Sequence, residues 1–306
     1  MRVMVTGGAG FIGSAIVREL LQKDYQVSVL DNLSTGNREN IANGVNFYYG
    51  DIRDRNFVFD TLLMEQPEII FHLAAQVSVP ISVENPYFDA ESNINGTVNI
   101  LDAAVKSNIR KIIFASSAAV YGVPEYLPID ENHSIKPLSG YAVSKYTGEQ
   151  YFTIYKEIFG LNYTVLRFAN VYGPGQLLGS EGGVVAIFIK KMLNNSNTVI
   201  YGDGKQTRDF IYVKDVVAAS LACIDKAGGM TINIGTQSAS SVKGLFDILS
   251  EILENNSKPS YEKERNQDIR HSFLKINKAI KCLGWEPEYS LKDGIKDTLK
   301  ILKASS

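Results

Sequence analysis

Two patterns of hydrophobic and polar positions alternate along the first two-thirds of the chain. Short apolar runs indicate buried strands, and between them apolar residues recur at helical spacing, as at Ile16, Val17 and Leu20. The predicted strands are Val3–Thr6, Gln26–Leu30, Phe47–Tyr49, Glu68–Leu73, Lys111–Ala115 and Tyr163–Phe168, and the predicted helices are Ser14–Lys23, Ser92–Ser107 and Tyr141–Phe159. Strand–helix alternation is typical of a parallel sheet covered by helices on both faces. We therefore expect an α/β protein with a doubly wound parallel sheet.

The pattern changes after Asn170, where Gly173-Pro174-Gly175 begins a loop-rich stretch. The elements predicted beyond it are a helix at Val184–Leu193 and short strands at Val199–Tyr201, Phe210–Val213 and Thr231–Ile234. We interpret residues 1–170 as the main sheet domain and residues 171–306 mainly as a smaller α/β lobe. Segments near 210–235 are expected to return to the main domain.

A glycine-rich turn lies between the first predicted strand and helix, with Gly7, Gly10 and Gly13 spaced as Gly-x-x-Gly-x-x-Gly. Such glycines allow a tight turn and close approach of a pyrophosphate, which then faces the helix N-terminus. Asp31 ends the second strand, and a carboxylate there suits the ribose hydroxyls of NAD and repels the extra phosphate of NADP. The alternative is a plain glycine turn with a helix-capping aspartate, but the order of the elements favours an NAD site.

Tyr141 and Lys145 are four residues apart, about one helical turn, so both side chains lie on one face. A phenol has a pKa near 10, and an adjacent ammonium lowers it by stabilising the phenolate. A serine hydroxyl upstream, at Ser117, can hydrogen-bond the same substrate oxygen. Together the three could remove a proton from a sugar hydroxyl while its hydride leaves for a nicotinamide ring. By itself this spacing is more often an ordinary helix face, and the glycine turn is what favours catalysis.

Composition limits the partners that the chain could have. The formal net charge of -2 over 306 residues gives no basic footprint for nucleic acid. No apolar run reaches the roughly 18 residues of a membrane span, and the N-terminal apolar stretch is interpreted as a strand and not a signal peptide. Cys223 and Cys282 are expected to be two buried, reduced thiols, and His72, His133 and His271 form no ligand cluster. We expect a cytoplasmic protein without a metal site.

These motifs, in this order, resemble those of the extended short-chain dehydrogenase/reductase family, and within it the UDP-glucose 4-epimerases. The resemblance covers nearly the whole chain. The matching segments are Thr6–Ser14, His72–Gln76, Ser116–Gly122, Tyr141–Lys145, Arg167–Pro174, Gly202–Phe210 and Val213–Asp215. The resemblance implies a Rossmann-like NAD-binding domain over residues 1–170 and a substrate-binding lobe mainly over residues 171–306.

The resemblance also implies roles for individual residues. The implied catalytic residues are Ser117, Tyr141 and Lys145. The implied cofactor-binding residues are Gly7, Gly10, Phe11, Ile12, Gly13, Asp31, Asn32, Asp51, Ile52, Leu73, Ala74, Ala75, Asn95, Tyr141 and Lys145. The implied substrate-binding residues are Ser117, Tyr141, Asn170, Val185, Tyr201, Arg208, Arg265, Asp268 and Ser272. Relatives pair the helices that correspond to those of Asn95 and Tyr141, so a homodimer is implied as well.

The implied reaction is NAD-dependent C4 epimerisation of a UDP-hexose through a 4-keto intermediate. Arg208 and Arg265 are expected to bind the diphosphate, since guanidinium groups suit it. Ser272 falls near the position where hexose-only relatives carry a tyrosine, so N-acetylated sugars are expected to fit as well.

Other reactions of the family remain open. Dehydratases need a general acid and base after the oxidation step, and relatives of that kind carry an Asp-Glu pair where this chain has Ala118 and Ala119. Elimination is therefore disfavoured. Epimerisation of a UDP-uronic acid and a non-catalytic NAD sensor are the remaining alternatives.

Overall fold

The computed structural model describes residues 1–176, 183–255, 257–264 and 269–304. Its strands are β1 (Arg2–Thr6), β2 (Gln26–Asp31), β3 (Asn46–Tyr49), β4 (Ile69–His72), β5 (Lys111–Ser117), β6 (Tyr163–Phe168), β7 (Asn170–Tyr172), β8 (Val199–Tyr201), β9 (Thr207–Arg208), β10 (Phe210–Tyr212), β11 (Met230–Ile234), β12 (Ser240–Ser241) and β13 (Ser260–Glu262). Its helices are α1 (Phe11–Gln22), α2 (Arg55–Glu65), α3 (Val79–Glu84), α4 (Pro86–Ala90), α5 (Gly96–Lys106), α6 (Gly140–Phe159), α7 (Val184–Leu193), α8 (Val213–Ala222), α9 (Val242–Leu253), α10 (Asn277–Leu283) and α11 (Leu291–Ala304). A π-helical turn, Glu91–Asn95, joins α4 to α5.

Seven strands form one parallel sheet in the order β11-β6-β5-β4-β1-β2-β3. Successive side chains of a strand point to opposite faces. Val3 and Val5 of β1 accordingly pack into one core layer with α1 and α8, whereas Met4 packs into the other with α2, α5 and α6. Both faces of the sheet are therefore covered, and the expected doubly wound α/β fold is confirmed.

The strand order reverses between β1 and β4, because the chain continues from β1 to β2 on one side and later crosses to β4 on the other. In open parallel sheets, ligands bind beyond the carboxyl ends of the strands at such a point. Asp31 ends β2, Ser117 ends β5, and Ala74 follows the end of β4 by two residues. The fold thus brings these distant residues to one edge of the sheet.

The segment directly after β6 contains a strand that the sequence analysis did not predict. Asn170–Tyr172 forms β7, which pairs in parallel with β10. This strand is defined by a partner about 40 residues later, which no local pattern reveals. Two further strand pairs, β12 with β9 and β13 with β8, form the other two-stranded sheets of the described residues. The return of the chain to the main sheet is seen in β11, which pairs with β6.

Helix α2 was not predicted, although its start carries a recognisable signal. The Asp54 carboxylate accepts hydrogen bonds from the backbone N–H groups of Asn56 and Phe57, both at 3.1 Å, and so caps the helix. Val58 and Leu62, one turn apart, are fully buried in the second core layer. The capping aspartate, more than the weak apolar spacing, defines this helix.

Both cysteines are free thiols, but only one matches the expectation of burial. Cys223 is buried, whereas Cys282 is only half-buried near the end of α10, where one side of the helix faces solvent. Within the described residues, no helix combines the length and apolar character needed to cross a bilayer. No cluster of three or more His, Cys, Asp or Glu side chains in the same residues is placed to share a metal ion.

Candidate active site

At the glycine turn between β1 and α1, the backbone lies so close to neighbouring atoms that a side chain at Gly7 or Gly13 would not fit. Gly7 has a φ of 72°, and a Cβ there would lie 2.6 Å from the backbone nitrogen of Ala74. A Cβ at Gly13 would lie 2.1 Å from the Gly7 carbonyl oxygen. No side chain caps α1 at Gly10, so the first N–H groups of the helix are available to an anion. This shape fits a dinucleotide pyrophosphate. Phe11 and Ile12 form the half-buried first turn of α1.

Asp31 links the glycine turn to the loop after β2. Its carboxylate oxygens accept hydrogen bonds from the backbone nitrogens of Ala9, at 2.9 Å, and Leu33, at 2.8 Å. The carboxylate therefore stabilises the loop instead of capping a helix. Each oxygen keeps a further lone pair, so the same group can also accept from ribose hydroxyls.

The expected cofactor-binding segment at Asp51 and Ile52 is organised by an ion pair that the sequence did not reveal. Arg53 donates two side-chain hydrogen bonds to Asp51, at 2.8 and 3.0 Å, and Asn32 donates a third at 2.8 Å. Burial acts to raise the pKa of Asp51, but the hydrogen bonds from Arg53 and Asn32 outweigh it and lower the pKa to about 2. Ile52 is buried beside Gly96, where an added Cβ would lie 2.6 Å from its side chain.

Lys145 is buried on α6, one turn after Tyr141. Its Nζ donates a hydrogen bond to the Ala115 carbonyl at 2.9 Å and lies 6.0 Å from the centre of the Tyr141 ring. Burial lowers the pKa of the Lys145 ammonium to about 8, while the charges of Asp89 and Glu149 act in the opposite direction. At neutral pH the side chain is therefore charged but close to its titration point.

The direction of the Tyr141 pKa corrects one sequence-based expectation. We expected Lys145 to lower it, but in the structure burial raises the pKa of the phenol, as does the charge of Asp89. A hydrogen bond with Ser117 acts to lower the Tyr141 pKa. The desolvation of a buried phenol is the dominant effect, and the Lys145 ammonium is engaged with a backbone carbonyl.

A buried network lies beneath the catalytic helix. Arg167 binds Glu149 through two hydrogen bonds, at 2.9 and 2.5 Å, and Ser116 donates to the same carboxylate at 2.5 Å. Arg167 also donates to the Tyr121 hydroxyl at 2.9 Å, and Tyr121 donates to Asn233 at 2.6 Å. Glu149 is one turn beyond Lys145. This spacing is the sequence feature that could have indicated the buried network.

The structure separates two asparagines that are close in sequence. Asn95 is exposed, on the helix face that also carries Asn99, whereas Asn93 is buried. Asn93 donates to the hydroxyl of Ser144 at 3.0 Å, one residue before Lys145. The structure thus links Asn93, which the sequence analysis did not single out, to the catalytic helix, whereas Asn95 is exposed to solvent.

The segment after β4 completes the crevice wall. Leu73, Ala74 and Ala75 are all half-buried. His72, at the end of β4, bonds through its ring to Thr6 at 2.8 Å and Thr97 at 3.1 Å. Burial lowers the pKa of His72 to about 3, helped by the charge of Lys145, so this histidine is a neutral part of the core.

Besides Ser117 and Tyr141, the described residues that were expected to bind substrate lie on several elements of the second half of the chain. A cavity of about 200 Å³ is lined by Ala169, Asn170, Val171, Tyr172, Gln176, Gly183, Val184, Val185 and Phe210. Tyr201 ends β8, and Arg208 in β9 donates to the Ile269 carbonyl at 2.6 Å. Ser272 is half-buried, and its backbone nitrogen donates to Thr207 at 3.2 Å. Arg265 and Asp268 lie outside the described residues.

Comparison with known proteins assigns the chain and its fold to one family. The NAD dependent epimerase/dehydratase family matches residues 3–235. A UDP-glucose 4-epimerase of Mycolicibacterium smegmatis is 40% identical over 314 residues, covering 100% of both chains. The solved UDP-glucose 4-epimerase of Thermotoga maritima with UDP-glucose is 42% identical, with a TM-score of 0.98 and coverage of 100% of this chain and 99% of that one.

A second solved relative is named for an N-acetylated sugar. The UDP-N-acetylglucosamine 4-epimerase of Methanobrevibacter ruminantium, in complex with UDP-N-acetylmuramic acid, is 36% identical, with a TM-score of 0.95 and coverage of 100% and 99%. The expected family, the α/β fold and NAD as the family's cofactor are confirmed. The chain belongs to the NAD dependent epimerase/dehydratase family.

Proposed function

We propose that this enzyme interconverts a UDP-hexose and its C4 epimer, with UDP-glucose and UDP-galactose as the default pair. The observation that carries the proposal is the arrangement of Ser117, Tyr141 and Lys145 at the carboxyl edge of the sheet. Ser117 ends β5, and Tyr141 faces it from the first turn of α6. The glycine turn lies across the same edge, at the point where the strand order reverses.

The mechanism assigns one task to each side chain. Tyr141 takes the proton of the sugar 4-hydroxyl and later returns one, and Ser117 holds the same oxygen by a hydrogen bond. Lys145 is charged at neutral pH and favours the phenolate once the substrate is aligned. When bound, NAD supplies the acceptor and donor of the C4 hydride. The nucleotide must be held firmly and the sugar loosely, so that the 4-keto sugar can turn before it is reduced on its other face.

The residues after β5 disfavour the dehydratase alternative. Ala118 and Ala119 begin the 3-10 turn that follows Ser117. Methyl groups cannot transfer protons, so no general acid–base pair is supplied at this position for elimination. Incubation with NAD and a panel of UDP-hexoses, N-acetylhexosamines and uronic acids separates the possibilities. A C4 epimer of a UDP-hexose supports the proposal, whereas an epimer of the uronic acid alone, an eliminated product or no reaction contradicts it.

Assembly and location are part of the same proposal. We infer an NAD-binding domain over residues 1–170 and a UDP-sugar lobe mainly over residues 171–306. We also infer a homodimer through the helices of Asn95 and Tyr141, because large side chains are exposed on α6 and on the adjoining α4: Val143 is 49% exposed and Tyr87 72%. The two free thiols favour a reducing compartment such as the cytoplasm.

Asp31 is expected to make the enzyme prefer NAD to NADP. Repulsion between its carboxylate and the 2′-phosphate should weaken NADP binding by about tenfold or more, since ~1.4 kcal/mol corresponds to that factor. Titration of the protein with each dinucleotide measures the ratio. Asp31→Asn removes the charge, keeps an acceptor for only one of the Ala9 and Leu33 nitrogens, and should narrow the preference for NAD over NADP. Tighter binding of NADP by the unsubstituted protein would contradict the assignment.

Ser272 is expected to leave room for an N-acetyl group beside sugar C2. The wild-type protein should epimerise both UDP-N-acetylglucosamine and UDP-glucose, with the plain hexose slightly favoured. Ser272→Tyr should abolish turnover of the N-acetylated sugar and retain turnover of UDP-glucose, because a phenol ring fills the space. Measuring both activities in both proteins is the test. If wild type ignores the N-acetylated sugar, or Ser272→Tyr accepts it equally well, Ser272 does not control access.

A further inference from the structure

Asp89, in α4, is a buried carboxylate to which the reaction above gives no task. It is 2% exposed, and its Oδ1 accepts hydrogen bonds from the Gln76 side-chain nitrogen at 2.8 Å and the Asn93 side-chain nitrogen at 3.1 Å. In the part of the chain that the structure describes, no basic nitrogen lies within 4.0 Å of it. Burying a charge without a close ion pair is costly. The hydrogen bonds that Asp89 accepts must therefore offset part of that cost.

Hydrogen bonds connect Asp89 to the first turn of the catalytic helix. Asn93 donates to Ser144 at 3.0 Å, and the Ser144 hydroxyl donates to the Tyr141 carbonyl at 3.0 Å. Asn93 in turn accepts from the Gln76 backbone nitrogen at 2.8 Å. We call Asp89, Gln76, Asn93 and Ser144 the Asp89 cluster. The cluster connects α6, which carries Tyr141 and Lys145, to the segment from α4 to α5, beside the π-helical turn of that segment.

The charge of Asp89 acts on both of the catalytic titratable groups of α6, Tyr141 and Lys145. It raises the pKa of Tyr141 in addition to the larger effect of burial, and it raises the pKa of Lys145 against the effect of burial. Glu149, on α6 itself, acts on Lys145.

The other titratable groups on the neighbouring elements are uncharged, exposed to solvent or paired with another residue. His72, from β4, is neutral at physiological pH, since burial lowers its pKa to about 3. Glu84, at the end of α3, is exposed. Glu91, in the π-helical turn, faces Arg53 at 4.0 Å, and the exposed Tyr87 of α4 is hydrogen-bonded to Glu91. Asp89 is thus the described carboxylate that acts on Tyr141 and Lys145 together.

We propose that Asp89 is a positioning residue of the active site, whose buried carboxylate orders the first turn of α6 through Asn93 and Ser144 and holds a negative charge next to that turn. This inference rests on the proposed function in so far as Tyr141 and Lys145 carry the reaction. A negative charge beside these two residues keeps the proton on both groups to higher pH. The pH at which Tyr141 ionises and the pH at which Lys145 loses its charge are therefore both set in part by a residue outside the implied catalytic and binding residues.

Asp89→Asn separates charge from shape, because the amide keeps an oxygen in place of Oδ1. Removing the negative charge should lower the pKa of Tyr141 and the pKa of Lys145. Both limbs of the profile of kcat against pH should therefore move to lower pH. Glu84→Gln removes an equal charge from an exposed site near the same helix and should leave the profile unchanged. A lower kcat with unmoved limbs would overturn the proposal, since a purely structural role predicts that result.

A second readout does not depend on turnover. With 13Cζ-labelled tyrosine, the Tyr141 resonance is identified by its loss in Tyr141→Phe and then titrated in the protein without substrate. Its midpoint should be lower in Asp89→Asn than in wild type, and equal midpoints overturn the proposal. If wild type turns over no UDP-sugar, the proposed function fails while this titration still decides the role of Asp89. Should Asp89→Asn not fold, Asp89→Ala removes the same charge, and the same outcomes apply.

Discussion

Tyr141→Phe is expected to reduce kcat by about 10²–10⁴-fold, which is the range that a positioned acid–base group contributes. The substitution removes one oxygen and leaves the ring, which packs against the rest of the site. The Kd for the UDP-sugar should rise by no more than about tenfold, since one neutral hydrogen bond contributes only ~0.5–1.5 kcal/mol. Stopped assays of epimer formation and calorimetric titration with the UDP-sugar measure the two quantities separately.

Two further variants make the Tyr141 result interpretable. Ser117→Ala should have a milder effect, because its hydroxyl holds the reacting oxygen but does not carry the proton away. Tyr49→Phe removes the same oxygen atom from a side chain that is 69% exposed on β3, and should leave kcat unchanged. If Tyr141→Phe kept most of its activity, the proton would have to leave by another route and the mechanism would be wrong.

Elements defined by local pattern were predicted closely from the sequence. The predicted strand Tyr163–Phe168 has the same bounds in the structure, and the catalytic helix begins one residue before its predicted start, at Gly140. Ser139 caps that helix by accepting from the Ala142 nitrogen at 3.2 Å, and such a cap is a local interaction. The pairing of β7 with β10 could not be predicted, because it depends on how the second half of the chain folds back.

The candidate site shows the same division. The order of the motifs pointed to Ser117, Tyr141 and Lys145, and the fold places all three at one edge of the sheet. The sequence could not distinguish Asn93 from Asn95, because the π-helical turn decides which of them faces the core. Nor could it give the direction of the Tyr141 pKa, which depends on burial and on Asp89. The orientation of the two asparagines and the direction of the Tyr141 pKa are both determined by tertiary packing.

The buried pair of Arg167 and Glu149 is expected to be the most sensitive point of the fold beneath the site. The two side chains are 5% and 3% exposed. Burial acts to lower the pKa of Arg167, but the hydrogen bonds with Glu149 outweigh it and raise the pKa. Arg167→Met should lower the free energy of unfolding by about 3–5 kcal/mol, because it leaves the Glu149 carboxylate buried without its partner.

A double-mutant cycle tests whether the penalty comes from the stranded charge. Glu149→Leu combined with Arg167→Met removes both charges, and the pair should cost much less than the sum of the single variants. Lys243→Met breaks a pair whose side chains are 41% and 55% exposed, with Asp247, and should change stability by less than about 1 kcal/mol. Denaturant unfolding followed by circular dichroism measures all four variants. Additive single effects, or a loss below about 1 kcal/mol for Arg167→Met, would show that this pair does not hold the catalytic helix against β6.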